Sequence, residues 1–71
     1  MRKSVKDLVI KFIEELPIGT RFYGHEVKSY VVRYMPEKEH CYVDSFLRTA
    51  RRFCRESFKA INGSKSLYEK V

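Results

Sequence analysis

The residues best equipped for chemistry lie in the stretch 42–56, where arginines and hydroxyl groups share one side of a predicted helix. The apolar residues of that stretch repeat at helical spacing, and they are Val43, Phe46, Leu47, Ala50, Phe53 and Cys54. At about 100° per residue, the polar residues nearly opposite that stripe are Ser45, Arg48 and Arg52, and those that flank them are Thr49, Arg55 and Glu56. Guanidinium groups donate in a fork that fits phosphates and base edges, and hydroxyls donate or accept. The pattern suits insertion into a DNA groove, and it also fits a solvated helix whose arginines serve solubility.

Histidine and cysteine can bind metals or catalyse reactions, but their spacing here favours neither. The four candidates match no C-x2-C or H-x3-H arrangement, and they are His25, His40, Cys41 and Cys54. Cys54 falls on the apolar stripe and is expected in the core. Since neighbouring residues on an irregular loop seldom point together, His40 is not expected to activate Cys41 as a nucleophile. We therefore predict no metal site, no cofactor and no enzymatic activity.

The charge of the chain favours a polyanionic partner. The formal net charge is +6, and residues 40–71 carry seven basic and three acidic groups. Residues 1–39 carry eight basic and six acidic groups, so the excess is concentrated in the second half. Such a field attracts nucleic acid, an anionic membrane surface or an acidic protein.

Length and composition bound the class of protein. The 71 residues are expected to form one domain, 1–71, which buries only about 60% of its unfolded surface. A cleft for a small-molecule substrate would compete with the core for the same side chains, so none is expected. Two cysteines are too few for a secreted disulfide scaffold, and no apolar run approaches the ~20 residues of a membrane span. Without an apolar signal core behind the N-terminus, we expect a cytoplasmic protein without membrane contacts.

The first half of the chain predicts two helices separated by a short strand. Residues 4–16 have apolar residues at helical spacing, Ser4 as a capping residue and Pro17 as a stop. Residues 20–22 form an extended piece too short to be stable unless it pairs with another strand. Residues 24–35 form a second helix with an inner face of Val27, Tyr30, Val31 and Tyr34.

The second half predicts a connector, the arginine-bearing helix and a β-hairpin. The polar connector spans residues 36–41. After Glu56 the period changes, and residues 58–61 and 67–71 are short strand-like runs on either side of an Asn62–Gly63 reversal. In the last strand Leu67, Glu69 and Val71 share one face, while Tyr68 and Lys70 share the other.

This order of elements resembles the winged helix-turn-helix family over nearly the whole chain. The resemblance is carried by residues 20–22, by the opening of the third helix at 43–48 and by the hairpin tip at 62–65. It implies an α+β fold in which three helices pack together and the short strand joins the hairpin, or wing, as a third strand. It also implies that the third helix lies in the major groove of double-stranded DNA, with the wing on the adjacent backbone or minor groove. The connector 36–41 is longer than the family's compact turn.

The resemblance assigns roles by position. The residues that would face base edges are Ser45, Arg48, Thr49 and Arg52, where arginine can bind guanine O6 and N7. The residues that would meet phosphates are Arg55, Lys59 and Lys65, and the amides of Gly63 and Ser64 would add contacts at the wing tip. These roles describe a small transcriptional regulator, or an accessory factor of a phage or mobile element, acting as a homodimer or with a protein partner.

Two other kinds of binding stay open at the level of sequence. Winged helices also serve as protein-interaction or dimerisation modules, so the fold alone does not decide the function. A protein-binding helix would more often expose an aromatic or aliphatic anchor where this chain has Ser45, Arg48 and Arg52. Five tyrosines and five phenylalanines among basic residues are also compatible with stacking on single-stranded nucleic acid or RNA.

Overall fold

The predicted order of helices and strands is confirmed by the computed structural model, which describes residues 4–71. These residues form an α+β arrangement of three α-helices and a three-stranded antiparallel sheet. The helices are α1 (Val5–Glu14), α2 (Gly24–Tyr34) and α3 (Val43–Cys54). The strands are β1 (Arg21–Tyr23), β2 (Phe58–Asn62) and β3 (Leu67–Lys70). Short 3-10 turns occupy Pro36–Lys38, Arg55–Ser57 and Gly63–Lys65.

The first helix has the predicted cap and an earlier end. The Ser4 hydroxyl accepts a hydrogen bond from the Asp7 amide at 3.2 Å, which confirms the N-terminal cap. The helix ends at Glu14, not at the predicted Leu16. The Leu16 amide donates instead to the Ile13 carbonyl at 3.2 Å, because Pro17 disfavours the α conformation in the residue before it.

The short strand β1 is held by the hairpin, as its length requires. The strand order is β1-β3-β2, and Phe22 of β1 and Ala60 of β2 both pair with Tyr68 of β3. The strand runs from Arg21 to Tyr23 and not over residues 20–22, although the Thr20 carbonyl still accepts from the Lys70 amide at 2.8 Å. Three residues thus gain stability from pairing that they lack alone.

The hairpin tip differs from the predicted Asn-Gly reversal. Asn62 ends β2, and its side-chain oxygen accepts from the Lys65 amide at 3.3 Å and from the Ser64 hydroxyl at 2.8 Å. These bonds organise a 3-10 turn over Gly63–Lys65, so the left-handed residue is displaced to Ser66, with φ of 52°. The predicted hairpin is therefore confirmed, and its left-handed residue is Ser66, not Asn62 or Gly63.

The core lies between the helices and one face of the sheet, and Phe22 is its centre on the sheet side. Phe22 is 2% exposed, and its ring centroid lies 5.8 Å from Phe12, 6.0 Å from Phe58 and 5.8 Å from Tyr68. The remaining buried apolar side chains come from the three helices, and they are Leu8, Val9, Ile13, Val27, Val31, Phe46, Leu47, Ala50 and Cys54. Cys54 is thus a core residue, as predicted.

Two aromatic residues predicted on inner helix faces are substantially exposed. Phe53 is 45% exposed and Tyr34 is 49% exposed. At about 100° per residue Phe53 lies about 80° from Val43, at the margin of the stripe, where Lys6 covers its ring instead of core atoms. Tyr34 is the last residue of α2 and packs edge-on against Tyr30, with ring centroids 5.2 Å apart.

The inward face of β3 carries a lysine as well as a tyrosine. Tyr68 and Lys70 share one face, as predicted, and both are buried. The Lys70 ammonium donates to the carbonyls of Ile13 at 2.9 Å and Glu14 at 3.2 Å. These carbonyls belong to the last turn of α1, which carries the negative end of the helix dipole. The Ile13 carbonyl also accepts from the Leu16 amide, so the ammonium is its second donor. Lys70 therefore joins the end of α1 to the sheet.

The start of α2 sets how closely α3 can approach it. Gly24 is the first residue of α2 and is buried. A β-carbon at this position would lie 2.8 Å from Val43 Cγ1 and 2.9 Å from Leu47 Cδ1, both in α3. Glycine thus permits a close approach that fixes the position of the first turns of α3.

Candidate nucleic-acid interface

The helix α3 buries one face and leaves the opposite face in solvent. It begins at Val43 after an extended Tyr42 and ends at Cys54. The predicted range 42–56 is therefore too long, and Arg55 and Glu56 lie in the 3-10 turn that follows. The buried residues of α3 pack towards α1 and α2, and they are Phe46, Leu47, Ala50 and Cys54.

The outward face of α3 brings together three of the predicted residues. Ser45, Arg48 and Arg52 are all exposed, and 78% of the Arg48 side chain is accessible. Thr49 is half-buried, and its hydroxyl donates to the Ser45 carbonyl at 3.2 Å. Since that bond occupies the only Thr49 donor, its side chain keeps only acceptor capacity for a ligand.

Asp44 holds two arginines on this face. Its Oδ2 accepts from Arg48 Nε at 3.1 Å, and its Oδ1 lies 3.8 Å from Arg51 Nη2. Arg51 was not among the predicted site residues. Its spacing was a sufficient signal, because residues 44, 48 and 51 fall on the same side of a helix. Exposed ion pairs contribute only about 0–1 kcal/mol, so an external anion can compete for either arginine.

The C-terminal end of α3 groups cations around an exposed ring. The Lys6 ammonium lies 4.4 Å from the Phe53 ring centroid, and the Arg52 guanidinium lies 5.5 Å from it. The residues that line the shallow depression beside this ring include Arg55 and Ser57. Within residues 4–71 no carboxylate forms an ion pair with Arg52 or Arg55. These two guanidinium groups are consequently available to an external anion.

The outward face of the sheet carries a second row of charges. Glu69 of β3 lies between its strand neighbours, and it pairs with Arg21 at 3.3 Å and with Lys59 at 3.5 Å. Lys59, which the sequence assigned to phosphate contact, therefore already has an acidic partner. Arg21 joins this row only through the β1–β3 register, which the sequence did not indicate.

The turn of the hairpin presents the remaining predicted residues. Gly63, Ser64 and Lys65 are all exposed. The Asn62 side chain fixes the turn by accepting from Ser64 and Lys65. In the part of the chain that the structure describes, no carboxylate pairs with the Lys65 ammonium. The predicted residues thus lie on α3, on the 3-10 turn that follows it, which holds Arg55, and on the hairpin.

The two cysteines occupy different environments. Burial raises the pKa of the Cys54 thiol, the nearby Glu14 raises it further, and Lys70 lowers it. Cys54 is therefore protonated at neutral pH and poorly nucleophilic. Contrary to the expectation from the loop, Cys41 Sγ lies 3.8 Å from His40 Nε2. Both residues lie in the connector before α3, where His40 is exposed.

Comparisons with protein-family models, with curated proteins and with solved structures find no match to this chain. Among residues 4–71, no three histidine, cysteine, aspartate or glutamate side chains gather as they would around a metal ion. No helix in the same range is long and apolar enough to cross a membrane. The function is therefore argued from the surfaces of α3 and the hairpin.

Proposed function

We propose that this chain is a winged-helix protein that binds double-stranded DNA, with α3 in the major groove and the hairpin on the adjacent backbone. The element order supports the winged-helix assignment, as does the sheet order β1-β3-β2, in which the strand between α1 and α2 joins the hairpin. A transcriptional regulator or an accessory factor of a mobile element is the biological role we infer for such a protein. A chain of this size spans few base pairs, so tight binding requires a homodimer or a protein partner.

The observation that carries this proposal is the outward face of α3. Ser45, Arg48 and Arg52 are exposed there, and Arg51 lies beside them. Arginine is the side chain most suited to guanine in the major groove, and hydroxyls can donate or accept at any base. Polar residues lie opposite the buried stripe of any amphipathic surface helix. The support for DNA binding therefore comes from the type of these groups, arginine and serine, and not from their placement alone.

Arg55 and Lys65 can supply the contacts with the DNA backbone. Arg55 follows α3 directly, and Lys65 lies at the hairpin turn, so both can neutralise phosphates without reading sequence. With about four phosphates neutralised, the logarithm of the association constant should fall with the logarithm of salt concentration at a slope near −3.6.

Arg48→Ala and Lys65→Ala are expected to weaken DNA binding in different ways. The loss of Arg48 should cost roughly 1–3 kcal/mol on a selected site and relax the preference for guanine at one position. The loss of Lys65 should weaken all sequences alike and reduce the salt slope by about 1. Fluorescence anisotropy on selected and scrambled duplexes measures both effects. Equal affinity of Arg48→Ala and the parent for the selected site would contradict the assignment of α3 as the recognition helix.

One observation favours the alternative of a protein-interaction module. Tyr42, at the start of α3, is 82% exposed, and Phe53 at its other end is 45% exposed. Exposed aromatic side chains are common anchors of protein interfaces. Sedimentation velocity and duplex binding of the parent and of Tyr42→Ala distinguish the two functions. A parent dimer that dissociates in the variant, with no duplex binding by either protein, would favour the interaction module.

A further inference from the structure

The helix α3 carries one carboxylate, in its first turn and on the same side of the helix as its arginines. Between Val43 and Cys54 the acidic residue is Asp44, and the basic residues are Arg48, Arg51 and Arg52. A negative charge in a surface that attracts phosphate weakens that attraction. Its place in the first turn of α3 is favourable to the helix dipole and contributes to stability. Its contacts with Arg48 and Arg51 give the same carboxylate a second effect, on the arginines themselves.

The geometry of the Asp44–Arg48 pair leaves the binding edge of the arginine open. Arg48 donates to Asp44 Oδ2 through Nε, at 3.1 Å. Its two terminal nitrogens remain for an outside acceptor, and 78% of the side chain is accessible. Those terminal nitrogens are the pair that can donate to O6 and N7 of one guanine.

An arginine held in this way has less freedom to lose when it binds a base. A free arginine side chain samples many rotamers, and fixing it on binding is unfavourable. Asp44 restricts Arg48 one helical turn away before any ligand arrives, and its other oxygen lies 3.8 Å from Arg51. The same carboxylate withdraws positive charge from general phosphate attraction, since it neutralises part of the field of both arginines.

We propose that Asp44 is a positioning residue for base recognition, which orients Arg48 towards guanine and lowers affinity for DNA without the cognate base. The inference rests on the proposed function, because it names the base class that α3 reads and the residue that sets its specificity. Asp44 itself need not touch the DNA. When Asp44 is neutralised, discrimination for the cognate base should fall while affinity for DNA without that base should rise.

The test uses a duplex selected by the parent protein from a random-sequence pool, and the same duplex with 7-deazaguanine at single positions. In 7-deazaguanine the N7 acceptor is replaced by C–H, so one of the two bonds from Arg48 is lost. The parent should bind one of the substituted duplexes about tenfold more weakly. In Asp44→Asn that penalty should fall to about twofold, while affinity for a scrambled duplex should rise about threefold at low salt.

Matched variants separate orientation from charge and folding. Asp7→Asn removes the same charge from the exposed first turn of α1 and should leave the 7-deazaguanine penalty at its parental value. Asp44→Glu keeps the charge and should retain most of the penalty. If Asp44 acts through Arg48, Asp44→Asn should have no effect on the penalty in an Arg48→Ala background. Thermal unfolding should show all variants to be folded.

Two results would overturn the inference. One is an Asp44→Asn protein with the parental penalty for 7-deazaguanine. The other is that Asp44→Asn lowers the 7-deazaguanine penalty by the same factor in the parent and in the Arg48→Ala background. That result would mean that Asp44 does not act through Arg48. Failure of the proposed function is distinguishable from both, because it appears in the parent alone as an absence of duplex binding.

Discussion

Replacing Lys70 with alanine is expected to lower the free energy of unfolding by about 3 kcal/mol. The ammonium is buried, and it donates to the carbonyls of Ile13 and Glu14 at the end of α1. Each hydrogen bond to a charged group is worth roughly 1.5–3 kcal/mol, and the favourable interaction with the helix dipole adds to this. Alanine leaves both carbonyls without this donor and removes the buried aliphatic stem.

Thermal and denaturant unfolding measure this effect. For a chain of this length a loss of 3 kcal/mol lowers the melting temperature by roughly 12–24 °C. Lys65→Ala is the matched control, because Lys65 is exposed at the hairpin turn and should change stability by less than about 0.5 kcal/mol. Lys70→Met retains most of the buried volume and should isolate the loss of the two hydrogen bonds. Similar melting temperatures for Lys70→Ala and Lys65→Ala would contradict the role of Lys70 in joining α1 to the sheet.

Gly24→Val is expected to destabilise the protein by about 2–3 kcal/mol and to displace the start of α3. A β-carbon at position 24 would already lie 2.8 Å from Val43 Cγ1 and 2.9 Å from Leu47 Cδ1. Both distances are too short for carbon atoms in contact, and the additional methyl groups of valine increase the overlap. Overpacking of a filled core costs typically 1–3 kcal/mol.

The glycine substitution also tests how α3 is positioned. If α3 carries the recognition face, a shift of its first turns should reduce duplex binding under conditions in which the variant is still folded. Gly63→Val is the control for the stability measurement alone, since a β-carbon there has nothing within 4 Å and the residue lies at the exposed hairpin turn. A Gly24→Val protein with parental stability and parental duplex affinity would show that close packing of α2 on α3 does not set the geometry of the face.

The parts of the fold that the sequence predicted are those governed by local pattern. Apolar spacing located α1, α2 and α3, and Ser4 and Pro17 indicated the limits of α1 to within a turn. The strand around Phe22 was predicted from a pairing requirement, because three extended residues need a partner strand. Alternation along β3 correctly grouped Tyr68 with Lys70, since side chains on a strand alternate between faces.

The features that the sequence missed depend on distant contacts. Nothing local to Lys70 indicates that its ammonium meets the last turn of α1, because the two segments are more than fifty residues apart. Phe53 follows the apolar period, yet its position at the margin of the stripe leaves it beside Lys6 and Arg52. The left-handed residue of the hairpin fell at Ser66 because the Asn62 side chain favours a longer turn.

The candidate site shows the same division. The helical period was sufficient to place Ser45, Arg48 and Arg52 on one exposed face. It did not show that Arg48 Nε donates to Asp44, because the helical period gives the side of the helix on which a side chain lies and not its rotamer. The pairing of Lys59 with Glu69 required the register of β2 against β3, which hydrophobic pattern alone does not define.

The most direct test of DNA recognition by α3 is fluorescence anisotropy of the parent protein with a labelled random duplex and the matching single strand over a series of salt concentrations. The account predicts tighter binding to the duplex, with a slope near −3.6 if about four phosphates are contacted. Arg48→Ala should bind the random duplex about threefold more weakly at low salt, because one positive charge is lost, and should lose the preference for a selected site. Absence of duplex binding even at low salt, or preference for the single strand, would contradict the account.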